Sequence, residues 1–153
     1  MCKSRIGLLE NVPDGNFDSS SDNDPGHGPQ QSRLSTTCCD LFWADAWMSS
    51  HWYTVDQWIE VDFSERKTIE AVEVRPRTVY EQWVSSYKLA FSNDGNEFSF
   101  LKTTNKSDLV FRGPSGMGDF VTSSFEPTYA RYIRLYPITY HGFVSVKWEV
   151  YGC

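Results

Sequence analysis

No uninterrupted apolar run in this chain approaches the roughly 20 residues that a membrane-spanning helix needs. The N-terminal stretch MCKSRIGLLENV also lacks an apolar core long enough for a secretory signal peptide. No segment repeats apolar residues at the period of an amphipathic helix, and no internal repeat is visible. Positive charge is scarce: 14 Lys and Arg stand against 20 Asp and Glu, a formal net charge of −6. That balance argues against nucleic acid, whose binding rests on phosphate neutralisation. It argues less strongly against an anionic membrane, where a local basic rim can survive a negative total. The signatures of catalysis are missing as well: no His-Glu-x-x-His spacing, no phosphate-cradling glycine loop and no nucleophile elbow. Glu60, Asp62 and Glu149 alternate with apolar residues and read as solvent-face charges, not as a catalytic carboxylate pair. The expectation is a protein that binds and is not an enzyme.

What is present is aromatic and β-forming. The 153 residues are 40% hydrophobic and 16% aromatic, enough for one domain over 1–153 with its own core. Residues 13–37, rich in Asp, Ser, Gly, Pro and Gln, read as a long surface loop with a short strand near Phe17. From Gln57 the pattern alternates through Phe63, and a second strand is expected from Ile69 to Val74. Tyr87, Leu89 and Phe91 alternate before Asn93-Asp94-Gly95-Asn96, whose Asp-Gly pair supplies the positive backbone angles of a tight hairpin turn, and Phe98 and Phe100 open the return strand. Residues 105–119 read as another loop, followed by strands at Phe120–Phe125 and Tyr132–Tyr136. Val144, Val146, Trp148 and Val150 alternate with polar residues as a half-buried last strand. Short strands between turn signals imply an antiparallel sandwich or jelly-roll barrel. If Cys2 lies beside the last strand, a bond to Cys153 would close almost the whole chain, worth at most about 5 kcal/mol of unfolded-chain entropy, and would persist only in an oxidising compartment.

Several words of the sequence, in order, resemble the discoidin family, also called the coagulation factor V/VIII type C domain. They are Ala46-Trp47, Gln57-Trp58-Ile59-Glu60-Val61-Asp62-Phe63, Trp83-Val84-Ser85-Ser86-Tyr87-Lys88, Ser92-Asn93-Asp94-Gly95, Ala130-Arg131-Tyr132-Ile133-Arg134-Leu135-Tyr136-Pro137 and Glu149-Val150-Tyr151-Gly152-Cys153. The resemblance covers essentially the whole chain. It implies an all-β, eight-stranded antiparallel jelly-roll barrel or sandwich, closed at one end by a terminal disulfide, Cys2 to Cys153. Ligand-binding loops, or spikes, project from the other end, by position Ser21–Leu34, Asp40–Tyr53, Arg75–Trp83 and Arg112–Phe120. Members of the family bind galactose-type sugars, phosphatidylserine membranes, collagen or other proteins there. Two departures stand out. Met48 replaces the cysteine of Ala-Trp-Cys, while Cys38 and Cys39 sit adjacent; free thiols, a strained local pair and pairing between chains all stay open, with the last least favoured. The first spike, Asp22 to Gln31, lacks the bulky apolar residues of membrane-binding relatives.

The resemblance makes Arg77 the leading ligand residue, since sugar-binding discoidins carry an arginine in the same relation to the tryptophan at 83, and a guanidinium donates in a fork to neighbouring hydroxyls. The competing reading is an arginine paired with Asp45 or Glu81. Trp43, Trp52 and Tyr80 are candidate stacking rings, Trp47 and Trp58 candidate core. His141, before Gly142, and Asp40 or Asp45 would complete the polar set. Asp22, Asn23 and Asp24 offer oxygens suited to calcium, although such runs are usually solvated loops; no cofactor is required. The expected function is extracellular recognition or adhesion through a glycan or glycoprotein, of galactose or N-acetylgalactosamine type, strengthened by several copies through oligomerisation or a multidomain parent. The alternative is a protein ligand anchored by Leu41-Phe42-Trp43; phosphatidylserine is third. The expected context is a domain of a longer secreted or membrane-anchored protein with Met1 added, the alternative a leaderless cytosolic protein.

Overall fold

The computed structural model describes residues 1–37 and 44–153. Cys38, Cys39, Asp40, Leu41, Phe42 and Trp43, with the expectations attached to them, lie outside the described residues. Nine strands are described: β1 (Ile6–Gly7), β2 (Phe17–Ser19), β3 (Trp47–Met48), β4 (Ile59–Arg75), β5 (Trp83–Ser92), β6 (Ser99–Phe100), β7 (Phe111–Arg112), β8 (Val121–His141) and β9 (Ser145–Gly152). All pair antiparallel in the order β1-β9-β4-β8-β5-β6, with β2 on β4, β3 on β9 and β7 on β5.

β4 and β8 are long because each serves two layers. Ile59–Asp62 pairs with Tyr132–Leu135, the register breaks between Asp62 and Lys67, and Lys67–Val74 then pairs with Val121–Ala130. The break is a corner, where Ser64 adopts φ 66° and donates its amide to Asp62 Oδ1 at 2.7 Å. Bent there, one hydrogen-bonded sheet becomes an open sandwich. β2, β5, β6, β7 and the flanking halves of β4 and β8 form one layer; β1, β3, β9 and the other halves form the second. Among the described residues the sheet does not close into a barrel, and nine strands stand where eight were expected. The separate strands expected at 57–63 and 69–74 are one strand, as are those at 120–125 and 132–136. The polar corner residues interrupt the period without ending the pairing. Two-residue strands inside loops carry too little pattern to be read.

Ile59, Val61, Leu89, Ile133 and Leu135 of one layer meet Val72, Val74, Val146, Trp148 and Val150 of the other in a common core. Each such side chain contributes about 1.5–3 kcal/mol by leaving water. The last strand is not half-buried as expected. Ser145, Lys147 and Glu149 on its other face are only 1%, 6% and 4% exposed, so Glu149 is no solvent-face charge. The chain start covers it: Glu149 Oε1 accepts from the amides of Leu9 at 2.8 Å and Val150 at 2.9 Å. Burial pushes the Glu149 carboxyl up, with those amides opposing. Glu60 is likewise buried and paired with Arg134 at 2.7 Å, and Asp62 takes a two-bond fork from Arg131.

Residues 13–37 hold β2, as expected, but are not simply surface. Short 3-10 turns fold them down, and Ser32 is fully buried, accepting from the Trp148 indole at 3.0 Å. At the hairpin after β5 only Gly95 takes a positive φ, 77°, while the Asp94 carboxylate accepts from the amides of Asn96 and Glu97. The Cys2–Cys153 disulfide is present, with Cα atoms 5.8 Å apart. Cys153 and Thr68 exchange backbone bonds of 2.9 and 2.8 Å, which puts the disulfide at the corner end of the sandwich.

Candidate functional site

The opposite end gathers the end of β4 at Arg75, the start of β5 at Trp83, the end of β8 at His141 and the start of β9 at Ser145, with the loops between them. The loop after β4 turns tightly, since the Arg77 amide donates to the Gln82 carbonyl at 3.1 Å and the Gln82 amide to the Tyr80 carbonyl at 2.7 Å. This folds Arg77 inward, where it is 7% exposed. Its Nε donates to Asp45 Oδ1 at 3.0 Å, and its Nη1 to Gln82 Oε1 at 2.8 Å and Met48 Sδ at 3.2 Å. The Thr78 amide donates to Asp45 Oδ2. Burial pushes the fully buried Asp45 carboxyl up, but Thr78 and the Arg77 guanidinium outweigh it and hold the group below its ordinary range. Asp45 therefore positions Arg77 and has both oxygens engaged. Nη2 of Arg77 donates to no atom among the described residues.

Aromatic rings surround this network. Tyr80, half-exposed, lies over Arg77 with 4.3 Å from Cζ to the ring centre. His141, exposed, stacks flat on buried Trp83, with centroids 4.3 Å apart and an interplanar angle of 13°. Trp52 is 66% exposed and meets Tyr53 edge-on at 5.8 Å. Val55 and Val79 are also exposed at this end. Trp47 is fully buried, and Trp58 is partly buried beneath Arg134, 3.8 Å from Cζ to the ring.

A cleft of about 220 Å³ opens beside Arg77, between Arg75, Pro76, Thr78, Phe120 and Lys147. Lys147 forms its floor and binds the loops together, donating to the carbonyls of Thr36, Asp45 at 3.2 Å and Arg33 at 3.4 Å. Burial pushes its amine down, with Asp45 opposing. The remaining arginines of the projecting loops carry partners: Arg33 pairs with Asp14 at 2.7 Å, Arg75 pairs with Glu73 and packs on Phe120 at 4.3 Å, and Arg112 pairs with Asp119 at 2.9 Å.

The acidic run of the first spike is turned to local bonding. Asp24 accepts from the Gly26 amide and meets His27 Nδ1, both at 2.8 Å. That histidine bond holds the Asp24 carboxyl below its ordinary range. Asp22 accepts from Ser19, and Asn23 donates its amide to the Met48 carbonyl at 2.9 Å. Among the described residues no three His, Cys, Asp or Glu side chains group as metal ligands. Sequence reading missed Gln82, Thr78 and Met48 as partners of Arg77 and missed the Trp83–His141 stack, because the register of β5 on β8 creates that pair and no local spacing announces it.

Known proteins share both sequence and fold. The F5/8 type C domain model matches residues 16–150. Hemocytin of Bombyx mori is 28% identical over 145 residues, 94% of this chain and 5% of its own length. Lactadherin of Rattus norvegicus is 31% identical over 130 residues, 82% of this chain and 29% of its own. The chain thus spans less than a third of these relatives. Discoidin II of Dictyostelium discoideum superposes with a TM-score of 0.83 at 26% identity, covering 97% of this chain and 59% of that one. A family 32 carbohydrate-binding module from C. perfringens NanJ, solved with galactose, shares the fold at a TM-score of 0.69 and 14% identity, covering 97% and 99% of the two chains. With its family match running through both layers, from just before β2 into β9, the chain belongs to the F5/8 type C domain family.

Proposed function

We propose that this domain is a non-catalytic extracellular recognition module that binds a glycan of the galactose or N-acetylgalactosamine class at the loop end. The observation that carries the reading is the state of Arg77, immobilised by Asp45, Gln82 and Met48, with Nη2 bonded to no atom among the described residues and an aromatic ring on its face. A donor fixed beforehand loses little entropy on meeting a sugar hydroxyl. Tyr80 and His141 border it with ring faces suited to the apolar side of a pyranose. Modules of the same fold were solved with galactose and with GalNAc-β-1,3-galactose, which supports the class. A small sugar offers few atoms, so single-site affinity is weak and useful adhesion comes from several copies. No metal ion is needed.

The test is a glycan array with the domain multimerised on a scaffold, run with calcium and with chelator. Selective retention of terminal galactose-type sugars that chelator leaves unchanged and Tyr80→Ala weakens is the expected result. A blank array from folded protein overturns it.

A second reading, a protein ligand, draws on the exposed Trp52, Val55 and Val79, which exceed what a monosaccharide covers. An anionic membrane is less favoured, because Arg75, Arg77 and Arg112 each already hold a carboxylate.

A further inference from the structure

We propose that Asn105 is an N-glycosylation acceptor. The chain has six asparagines, and only Asn105 stands two residues before a Ser or Thr with a residue other than proline between, in Asn105-Lys106-Ser107. The same three residues form the tip of a side hairpin. The Lys106 amide donates to the Thr103 carbonyl at 2.9 Å and the Thr103 amide to the Ser107 carbonyl at 2.8 Å, while Lys106 takes φ 64°. The base of the hairpin is pinned to β5, because Asp108 binds both Lys102 and Lys88, the latter at 3.0 Å. The tip is bare: residues 104–107 are all exposed, and neither the Asn105 amide nor the Ser107 hydroxyl makes a side-chain hydrogen bond among the described residues.

The terminal disulfide marks an oxidising compartment, and in the secretory lumen a lipid-linked oligosaccharide pyrophosphate is the sugar donor. Asn105 Nδ2 forms a bond to the anomeric carbon of that donor, the carbon–oxygen bond to phosphate breaks, the amide gives up one proton, and the lipid pyrophosphate leaves with the bonding electrons. The folded turn then keeps the glycan pointing outward at no cost in internal hydrogen bonds.

The position also explains why a glycan is tolerated in a binding module. The hairpin branches off beside Leu89, to which Leu101 donates at 3.1 Å, six residues from Trp83 along β5. At about 3.3 Å per residue that is roughly 20 Å from the loop end. A glycan there covers the side edge, where the two-residue strands β6 and β7 leave β5 incompletely paired, and leaves Arg77, Tyr80 and His141 open.

The test is to secrete the full chain behind a cleavable leader from cultured animal cells and measure its intact mass before and after peptide-N-glycosidase. The expected result is a glycan mass that the enzyme removes, leaving an aspartate in place of Asn105, that is lost in Asn105→Gln and Ser107→Ala and retained in Ser107→Thr. Folded secreted protein with unmodified Asn105, or a glycan that survives Asn105→Gln, overturns the proposal. Secretion level and the near-ultraviolet dichroism of the tryptophans verify that each variant is folded.

Discussion

Asp45 and Arg77 stand 32 positions apart in sequence and meet at 3.0 Å, with Asp45 fully buried behind the arginine. The pair divides the labour of the proposed site. Asp45 spends both oxygens on orientation, so a ligand at the proposed site would meet only the far side of the guanidinium. A carboxylate that looks like a sugar acceptor in sequence thus acts through its neighbour.

Asp45→Asn should lower stability by about 3–5 kcal/mol at neutral pH, because it leaves a buried guanidinium without its counter-charge. The Asp45 carboxyl titrates below its ordinary 3.8 in the folded state. Its pairing is therefore fully present above that value and is lost as pH falls through the lower, folded one. Urea midpoints at pH 6 and pH 3 should show the parent losing more on acidification than the variant. Equal losses would remove Asp45 as a source of acid sensitivity.

Arg77→Lys should keep a charge beside Asp45 but lose the planar fork. Binding to a multivalent galactose surface is expected to fall at least tenfold, about 1.4 kcal/mol, with a smaller change in urea midpoint. Unchanged retention would take Arg77 out of the site.

Tyr80→Ala and His141→Ala remove exposed rings. Stability should fall by no more than about 1.5 kcal/mol, because His141 gives up its stack on Trp83 and Tyr80 its contact with the Arg77 guanidinium. Sugar retention should fall by about 0.5–1.5 kcal/mol per ring, read on the same surface. Loss of His141 also uncovers Trp83, so the tryptophan emission of that variant should move to longer wavelength.

Lys147→Met strips donors from the carbonyls of Arg33, Thr36 and Asp45. The cost should be about 1–3 kcal/mol for the acceptors left unpaired, with faster amide exchange across residues 33–37 than across β8. Uniform exchange would mean that the lysine does not hold these loops.

Replacing Cys2 and Cys153 by serine should cost about 2–5 kcal/mol. Because that bond sits at the far end from Arg77, sugar retention by the folded fraction should not change. A loss of retention without unfolding would couple the two ends.

The parts of this molecule legible in its sequence are those governed by local rules. Alternating residues around Ile59, Leu89 and Val146 announce strands, and Asn93-Asp94-Gly95-Asn96 announces a turn. The corner at Ser64 was hidden because a bent strand and two separate strands leave the same pattern. The burial of Glu149 and Lys147 was hidden because period-two patterning assumes one wet face, whereas here the chain start and the first spike lie across it. At the candidate site, the Arg77–Asp45 pair was legible as the competing reading of that arginine. The stacking of Trp83 on His141 was not, since it joins residues 58 positions apart through strand register.

The 5.8 Å between the α-carbons of Cys2 and Cys153 also fixes how the domain responds to force. Tension applied at these two residues runs across the covalent bridge and bypasses the 150 residues enclosed between them. The sandwich behaves as a pendant on a taut line: it can swing, with its loops on the outer tip, but stretching the line does not pull its strands apart. A ligand held at the tip would load the sheets, whereas a pull along the chain loads only the sulfur bridge.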